Sequence, residues 1–407
     1  MSVFSSASIC AELQNSKHNI LICFSHLRWD FVYQRPQHLM TRAAADSHVV
    51  FVEEPVFGNV HSPSLDLSAR DAGVVVAVPK LPQGMTTAEQ RAAQCMLVRK
   101  LLEGLRAGQR HGRIVHWYYT PMALAFSHSF PCDLIVYDCM DELSGFLRAP
   151  PGLLEWERKL FECADLVFTG GRSLYEVKRL QHSRTHLFPS SIDQSHFGQA
   201  LTFAGPEPAD QAAIPHPRIG YFGVVDERMD LDLVASVADR RKAWHFVMLG
   251  PVVKIDQDSL PRRPNIHWLG SKSYAELPSY LAGWELGMMP FALNDATRFI
   301  SPTKTPEFLA AGLRVVSTPI ADVIRPYGER GLVSIAGTPD DIISCAEAIL
   351  GSDPADWRRA VNGFLAGMSW DLTWAGMHSL LDERLALSSS SSLRRSGETP
   401  AQGAVSV

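Results

Sequence analysis

The sequence predicts an α/β chain of two successive halves, each a doubly wound parallel sheet. Three observations predict it. Short apolar runs, of the kind buried on both faces of a sheet, alternate with helical stretches. The alternation stops once, over 201–217, where Gly205-Pro206-Glu207-Pro208 and Ile214-Pro215-His216-Pro217 continue neither a helix nor a central strand, and then it resumes. The length of 407 residues exceeds what a single core fills efficiently.

In chain order, the first half opens with the run 19–25, followed by a helical stretch over 34–45 and a second apolar run over 48–52 that ends in Glu53-Glu54-Pro55. Further strands are expected at 74–78, 113–118, 134–137 and 166–169, with helices over 89–106 and 153–163. Past the linker, strands fit 218–222, 245–249, 266–269, 286–289, 314–317 and 332–335. A helix over 339–350 has Thr338 placed to cap it and Pro339 at its first position. A longer helix follows over 370–387. The division expected is therefore a flexible N-terminus over 1–18, a first domain over 19–200, a linker over 201–217, a second domain over 218–369, the helix 370–387, and a disordered, serine-rich tail over 388–407.

Composition narrows the function. Hydrophobic residues make up 46% and charged residues 20%, ordinary for a globular enzyme. The net charge of -5, with Lys and Arg dispersed, offers nucleic acid no attraction. Seven cysteines form no CxxC pair, which suits buried thiols in a reducing compartment. No signal-peptide stretch and no membrane-spanning run is seen, so a cytoplasmic location is expected, with peripheral contact at the inner face of the cell membrane compatible with it.

The most informative stretch is Ser301-Pro302-Thr303-Lys304-Thr305-Pro306-Glu307-Phe308-Leu309-Ala310-Ala311-Gly312, which leads into the strand at 314–317. Ser301 can cap a helix, with Pro302 or Pro306 near its first turn. The free N–H groups of such a terminus suit a diphosphate. Lys304 in that first turn opposes the helix dipole, a penalty a bound phosphate would offset. Glu307, one turn on, can accept both hydroxyls of a ribose. The plainer alternative is a capped helix with an i,i+3 ion pair.

This segment resembles the donor-binding helix of glycosyltransferases with the GT-B fold, particularly the family 4-like group. The flanking Asn265-Ile266-His267-Trp268-Leu269-Gly270, the stretch from Tyr274 to Leu281, and Gly287-Met288-Met289-Pro290-Phe291 resemble that group's nucleotide-flanking elements and sugar-loop strand. The stretch from Trp29 to Leu39, with Gln34-Arg35-Pro36-Gln37-His38, resembles a subgroup associated with bacterial cell-surface polysaccharide that includes a teichuronic acid transferase. The resemblance covers about 19–387. It implies two facing Rossmann-like domains with a C-terminal helix crossing back to the first, and donor contacts from Lys304, Glu307, Ser301, Thr303, Gly223 and Tyr274. One departure stands out: Phe299 occupies the place where the family has a sugar-contacting glutamate, and Asn294 and Asp295 are the nearest polar replacements.

Other candidates lie at strand ends, where open α/β sheets bind ligands. In the loop after 218–222, Arg228 matches a phosphate-binding basic residue of the family, against the alternative of a surface arginine beside Glu227. Lys254, after the next strand, is a weaker phosphate candidate. Asp230-Leu231-Asp232 matches a DxD metal motif but falls at a predicted helix start, where aspartates favour the dipole, so no metal site is assigned. In the first half, Val136-Tyr137-Asp138-Cys139-Met140-Asp141-Glu142 places Asp141 first and Asp138 second as the base for an acceptor hydroxyl; a helix N-cap is the alternative for either. His26, Arg28 and Trp29 suit an acceptor sugar, Arg35 and His38 an acceptor phosphate, and His116 sits in or after another strand, where a structural role is the commoner one.

The reaction the resemblance implies is transfer of a sugar from a UDP- or GDP-linked donor to a hydroxyl of a glycan or lipid-linked acceptor, in bacterial cell-surface or exopolysaccharide synthesis. No cofactor and no metal is expected, Lys304 and Arg228 supplying the positive charge. Two rivals share the donor site: a GT-B sugar-nucleotide epimerase, and a non-catalytic nucleotide-sugar-binding partner of a polysaccharide assembly complex. The donor sugar, the linkage, the stereochemical course and the oligomeric state are not encoded in any motif.

Overall fold

The structure, a computed structural model, describes residues 19–107 and 112–388. The expected flexible segment 1–18, and the expected tail apart from Ser388, lie outside the described residues. In the first half the strands are β1 (Asn19–Phe24), β2 (Ser47–Val52), β3 (Val56–Gly58), β4 (Ser64–Ala69), β5 (Val75–Pro82), β6 (Ile114–Tyr118), β7 (Leu134–Cys139), β8 (Leu166–Thr169) and β9 (Thr185–Leu187). The second half carries β10 (Arg218–Phe222), β11 (His245–Leu249), β12 (Ile266–Gly270), β13 (Leu286–Met289), β14 (Val315–Ser317) and β15 (Ser334–Ile335).

Among the described residues the first sheet runs β3-β5-β2-β1-β6-β7-β8-β9, with β4 antiparallel to β5, and the second runs β12-β11-β10-β13-β14-β15. Apart from β4, every pairing is parallel, as short doubly buried strands joined by helical crossovers require. The alternation of side chains in β1 shows why: Ile20, Ile22 and Phe24 enter one core while Leu21 and Cys23 enter the other. β11 does the same, with Phe246 and Met248 on one face and Val247 and Leu249 on the other. Strand order reverses beside β1 and again beside β10, and the crevices at the carboxyl ends of those strands are where such sheets place ligands.

The helix Trp370–Ser388 packs on the first half. Trp370, Trp374, Met377, Leu381 and Leu385, spaced at helical intervals, enter the same core as Leu21 and Trp117. No helix among the described residues is long and apolar enough to cross a membrane.

The helix Leu153–Cys163 and the strands β8, β10, β11 and β13 fall where the sequence predicts them. Among the described residues, three strands and several helices, the longest of them Ala355–Leu365, were not anticipated. β4 carries two leucines between polar residues at an edge, β3 and β9 are only three residues long, and the helix Ala355–Leu365 buries just Val361 and Leu365 fully. None presents enough apolar periodicity to stand out from a loop.

Candidate functional site

A cleft of about 700 Å³ opens between the two halves. It is walled on one side by the segment from Trp29 to Gln34, and on the other by the loop after β10, the region of Tyr274, and Thr303, Lys304 and Glu307.

The floor is made by two glycines. Gly223 (φ +126°) and Gly250 (φ +142°) end β10 and β11 in backbone regions that side chains strain to adopt. A Cβ on Gly250 would stand 1.9 Å from the Gly223 carbonyl oxygen, and one on Gly223 would stand 2.0 Å from Lys304 Cε. Bare backbone there lets the Lys304 stem lie against the strand end.

Lys304 and Glu307 share one face of the helix Lys304–Ala310. Lys304 Nζ lies 5.5 Å from the centre of the Tyr221 ring and makes no ion pair or hydrogen bond among the described residues. Burial, and then the neighbouring charge of Arg228, pull its pKa down to about 8, with Glu307, Asp226 and Asp141 opposing. Burial raises Glu307 to about 7, with Lys304 opposing. An unpaired ammonium recessed in a cleft is costly to a folded chain. A phosphate would remove that cost, which makes this the strongest chemical signal in the site.

Arg228 reaches the cleft while bonded by Nε and Nη2 to Asp226, at 2.9 Å and 2.7 Å. The surface-arginine alternative therefore fails in its details: its partner is Asp226, which is 3% exposed, and not Glu227. Asp141, in the loop after β7, caps no helix. Burial raises its carboxyl above the usual range while Arg228, Arg35 and Lys304 pull it back down, although Asp141 is not itself among the residues that line the cleft.

Several expected roles are corrected by the structure. Asp138 is not an available base: it is fully buried, and Arg35 holds it through Nε at 3.1 Å and Nη2 at 2.8 Å. For the same reason Arg35, 1% exposed, is not an acceptor-phosphate ligand. His38 is stacked 4.6 Å from Trp370 and burial pushes its pKa down to about 3, so it is a neutral packing group. His116 lies within the sheet among Phe24, Tyr118 and Phe130, its pKa likewise near 3, and it touches no cleft. Ser301 does not cap the helix, which begins at Lys304 with Thr303 before it; the Ser301 carbonyl instead accepts from Ser190 Oγ at 3.2 Å. Asn294 is spent on a turn with Thr297 and on the Glu227 carbonyl. Lys254 pairs with Glu227 at 3.4 Å and does not line the cleft.

The remaining candidates have mixed positions. Trp29 lines the cleft, although its ring packs edge-on to Phe51 and its backbone N–H donates to Glu53 Oε1 at 2.8 Å. Arg28 is tied to Glu53 at 2.8 Å and to two carbonyls of the following segment. His26 lies two residues past the end of β1 with Nδ1 buried and without a hydrogen-bond partner among the described residues, and burial lowers its pKa to about 4. Tyr274 lines the cleft with His196 stacked on it at 4.0 Å. Asp230 caps its helix by accepting from Leu233 N and Asp232 lies in the first turn, so this acidic pair is ordinary helix-start chemistry. Phe299, where the family resemblance calls for glutamate, packs against the apolar core of the first half.

Two charged residues of the cleft escaped the sequence. Arg70, bonded to Asp30 at 2.7 Å, follows an edge strand that carries no motif. Lys272 pairs with Asp210 of the linker, a contact no local spacing announces.

Comparison with known proteins agrees with this architecture. No family model matches the chain. A Bacillus subtilis (strain 168) protein assigned by name to teichuronic acid biosynthesis as a glycosyltransferase, TuaH, is 24% identical over 274 residues, spanning 62% of this chain and 68% of that one. Among solved structures, sucrose-phosphate synthase from Thermosynechococcus elongatus superposes with a TM-score of 0.66 at 13% identity, covering 91% of this chain and all of that one. An E. coli trehalose-6-phosphate structure bound with UDP-2-fluoro glucose gives 0.65 at 12% identity, covering 90% and 99%. The chain has the GT-B fold.

Proposed function

We propose that this GT-B chain is a glycosyltransferase that moves a sugar from a UDP- or GDP-linked donor to a hydroxyl of a glycan or lipid-linked acceptor. The observation that carries the proposal is Lys304: a recessed, unpaired ammonium on a glycine floor, with Glu307 one turn away and Arg228 beside it. The similarity to a teichuronic acid biosynthesis protein supports a role in bacterial cell-surface polysaccharide synthesis.

In this mechanism Lys304 and Arg228 bind the diphosphate and Glu307 accepts hydrogen bonds from the ribose hydroxyls. Tyr274 offers an aromatic wall for the base. The acceptor oxygen attacks the anomeric carbon, its proton passing to the Asp141 carboxylate. The bond from the anomeric carbon to the diphosphate oxygen breaks, and its electron pair leaves with the nucleotide, where the two cations stabilise the developing charge. Direct displacement of this kind inverts the anomeric centre. The cations take the electrostatic role a metal would otherwise fill, so transfer is expected without an added divalent ion. Work at the inner face of the membrane fits a lipid-linked acceptor.

The test is binding and turnover of purified protein against UDP- and GDP-sugars, with donor hydrolysis as readout. Binding of one nucleotide class, abolished by Lys304→Ala, supports the proposal. Folded protein that binds neither nucleotide overturns it, and a scaffold role becomes the better account.

A further inference from the structure

Phe146 lies in the loop after β7, five residues beyond Asp141. Two cations of the second half lie over its ring: Arg228 Cζ is 5.2 Å and Lys254 Nζ 4.7 Å from the ring centroid. The same loop is held there by two further contacts. The Leu147 backbone N–H donates to Glu227 Oε1 at 3.0 Å, and that oxygen also receives Lys254 Nζ at 3.4 Å. Gly145 approaches Asp295 so closely that a Cβ would stand 2.6 Å from its carbonyl oxygen.

Arg228 and Lys254 are each paired to a carboxylate, Asp226 and Glu227, and the negative face of the ring adds a further attraction for both. A ring face holds a cation less strongly than a phosphate oxygen does in a charge-assisted hydrogen bond. A diphosphate arriving at Arg228 therefore takes the guanidinium from the ring. The loop bearing Asp141 then loses one of its attachments to the second half.

Resting on the donor-phosphate assignment above, we propose that Phe146 is a positioning residue that competes with the donor diphosphate for Arg228 while Lys254 keeps hold of the ring, and so couples occupation of the donor site to the placement of Asp141. The ring contacts no reacting atom; it acts through the cations on one side and through its own loop on the other.

The test is titration of the full chain with UDP and with GDP, for the wild type, Phe146→Leu and Phe146→Tyr, with hydrolysis of the matching nucleotide-sugar as the rate. Leucine keeps bulk but removes the π face; tyrosine keeps the face. Phe146→Leu should bind nucleotide about 3- to 10-fold more tightly, because no ring competes for Arg228, while its hydrolysis rate falls as the loop loses its hold on Lys254. Phe146→Tyr should return both values to those of the wild type. Unchanged or weaker binding by Phe146→Leu, beside a wild type that binds, overturns this inference and leaves the donor site standing. A wild type that binds neither nucleotide overturns the donor site and this inference with it. Hydrogen exchange on the wild type needs no variant: amides 145–147 should lose protection when nucleotide is added, and constant or increased protection overturns the coupling.

Discussion

Gly223 and Lys304 meet at the cleft floor so closely that a Cβ on Gly223 would stand 2.0 Å from Lys304 Cε and 2.5 Å from Nζ. The atoms in the way are the far end of a flexible side chain, so Gly223→Ala should fold, at a cost of about 1–3 kcal/mol for the strained backbone. It should displace the ammonium, and nucleotide affinity should fall by roughly 10-fold or more. Calorimetric titration beside a thermal melt separates the two effects; full affinity in a folded variant would remove Lys304 from the phosphate site.

Removing the Lys304 charge should weaken binding without weakening the fold. Lys304→Met loses charge-assisted bonds to phosphate, a drop of about 10- to 100-fold in nucleotide affinity. In the free protein it also removes an unpaired, recessed ammonium, so the melting temperature should hold or rise. A large fall in melting temperature would mean that Lys304 is structural.

The free protein should show two opposite pH limbs. Glu307, raised by burial to about 7 from a usual 4.5, binds more protons folded than unfolded between those values, so its contribution to stability is present below 4.5 and lost as pH rises through 7. Lys304, lowered by burial to about 8 from 10.5, binds fewer protons folded than unfolded between 8 and 10.5, so stability recovers as pH rises across that window. Denaturant melts against pH should lose the first limb in Glu307→Gln and the second in Lys304→Met.

Asp141→Asn should leave nucleotide affinity intact and lower turnover by about 100- to 10,000-fold. Because burial raises the Asp141 carboxyl, the acid limb of kcat/KM should lie above the range of an exposed aspartate. Unaltered turnover in the asparagine variant would point to another group, or to transfer without a protein base.

Arg35→Met should destabilise the fold by about 3–5 kcal/mol, since it strands the Asp138 charge in the core. The double variant Arg35→Met with Asp138→Leu should recover much of that loss. Recovery would establish the pair as architecture and separate it from the acceptor site.

Much of this chain is legible in its sequence, and the reasons are local. A strand buried on both faces must be an apolar run, so β1, β8, β10, β11 and β13 stand out where they lie. The stretch from Thr303 to Glu307 carries a cation and a carboxylate one turn apart, and the glycine ending β10 marks a close approach of backbone. Spacing along a single element is enough to read these.

What the sequence could not decide is which charges are spent on one another. Arg35 and Asp138 stand 103 residues apart and cancel in the core, whereas Lys304, equally eligible by residue type, makes no ion pair or hydrogen bond among the described residues. His38, on the helix after β1, and His116, within β6, are silenced chiefly by burial. Phe146 carries no motif, and its importance comes only from two cations brought over it by the other half. Element type follows from periodicity within a dozen residues, so the chain's own order determined the two sheets and the helix joining them. The availability of a charge depends on desolvation and on partners distant in sequence, so only the tertiary structure decided which residues remain free to act.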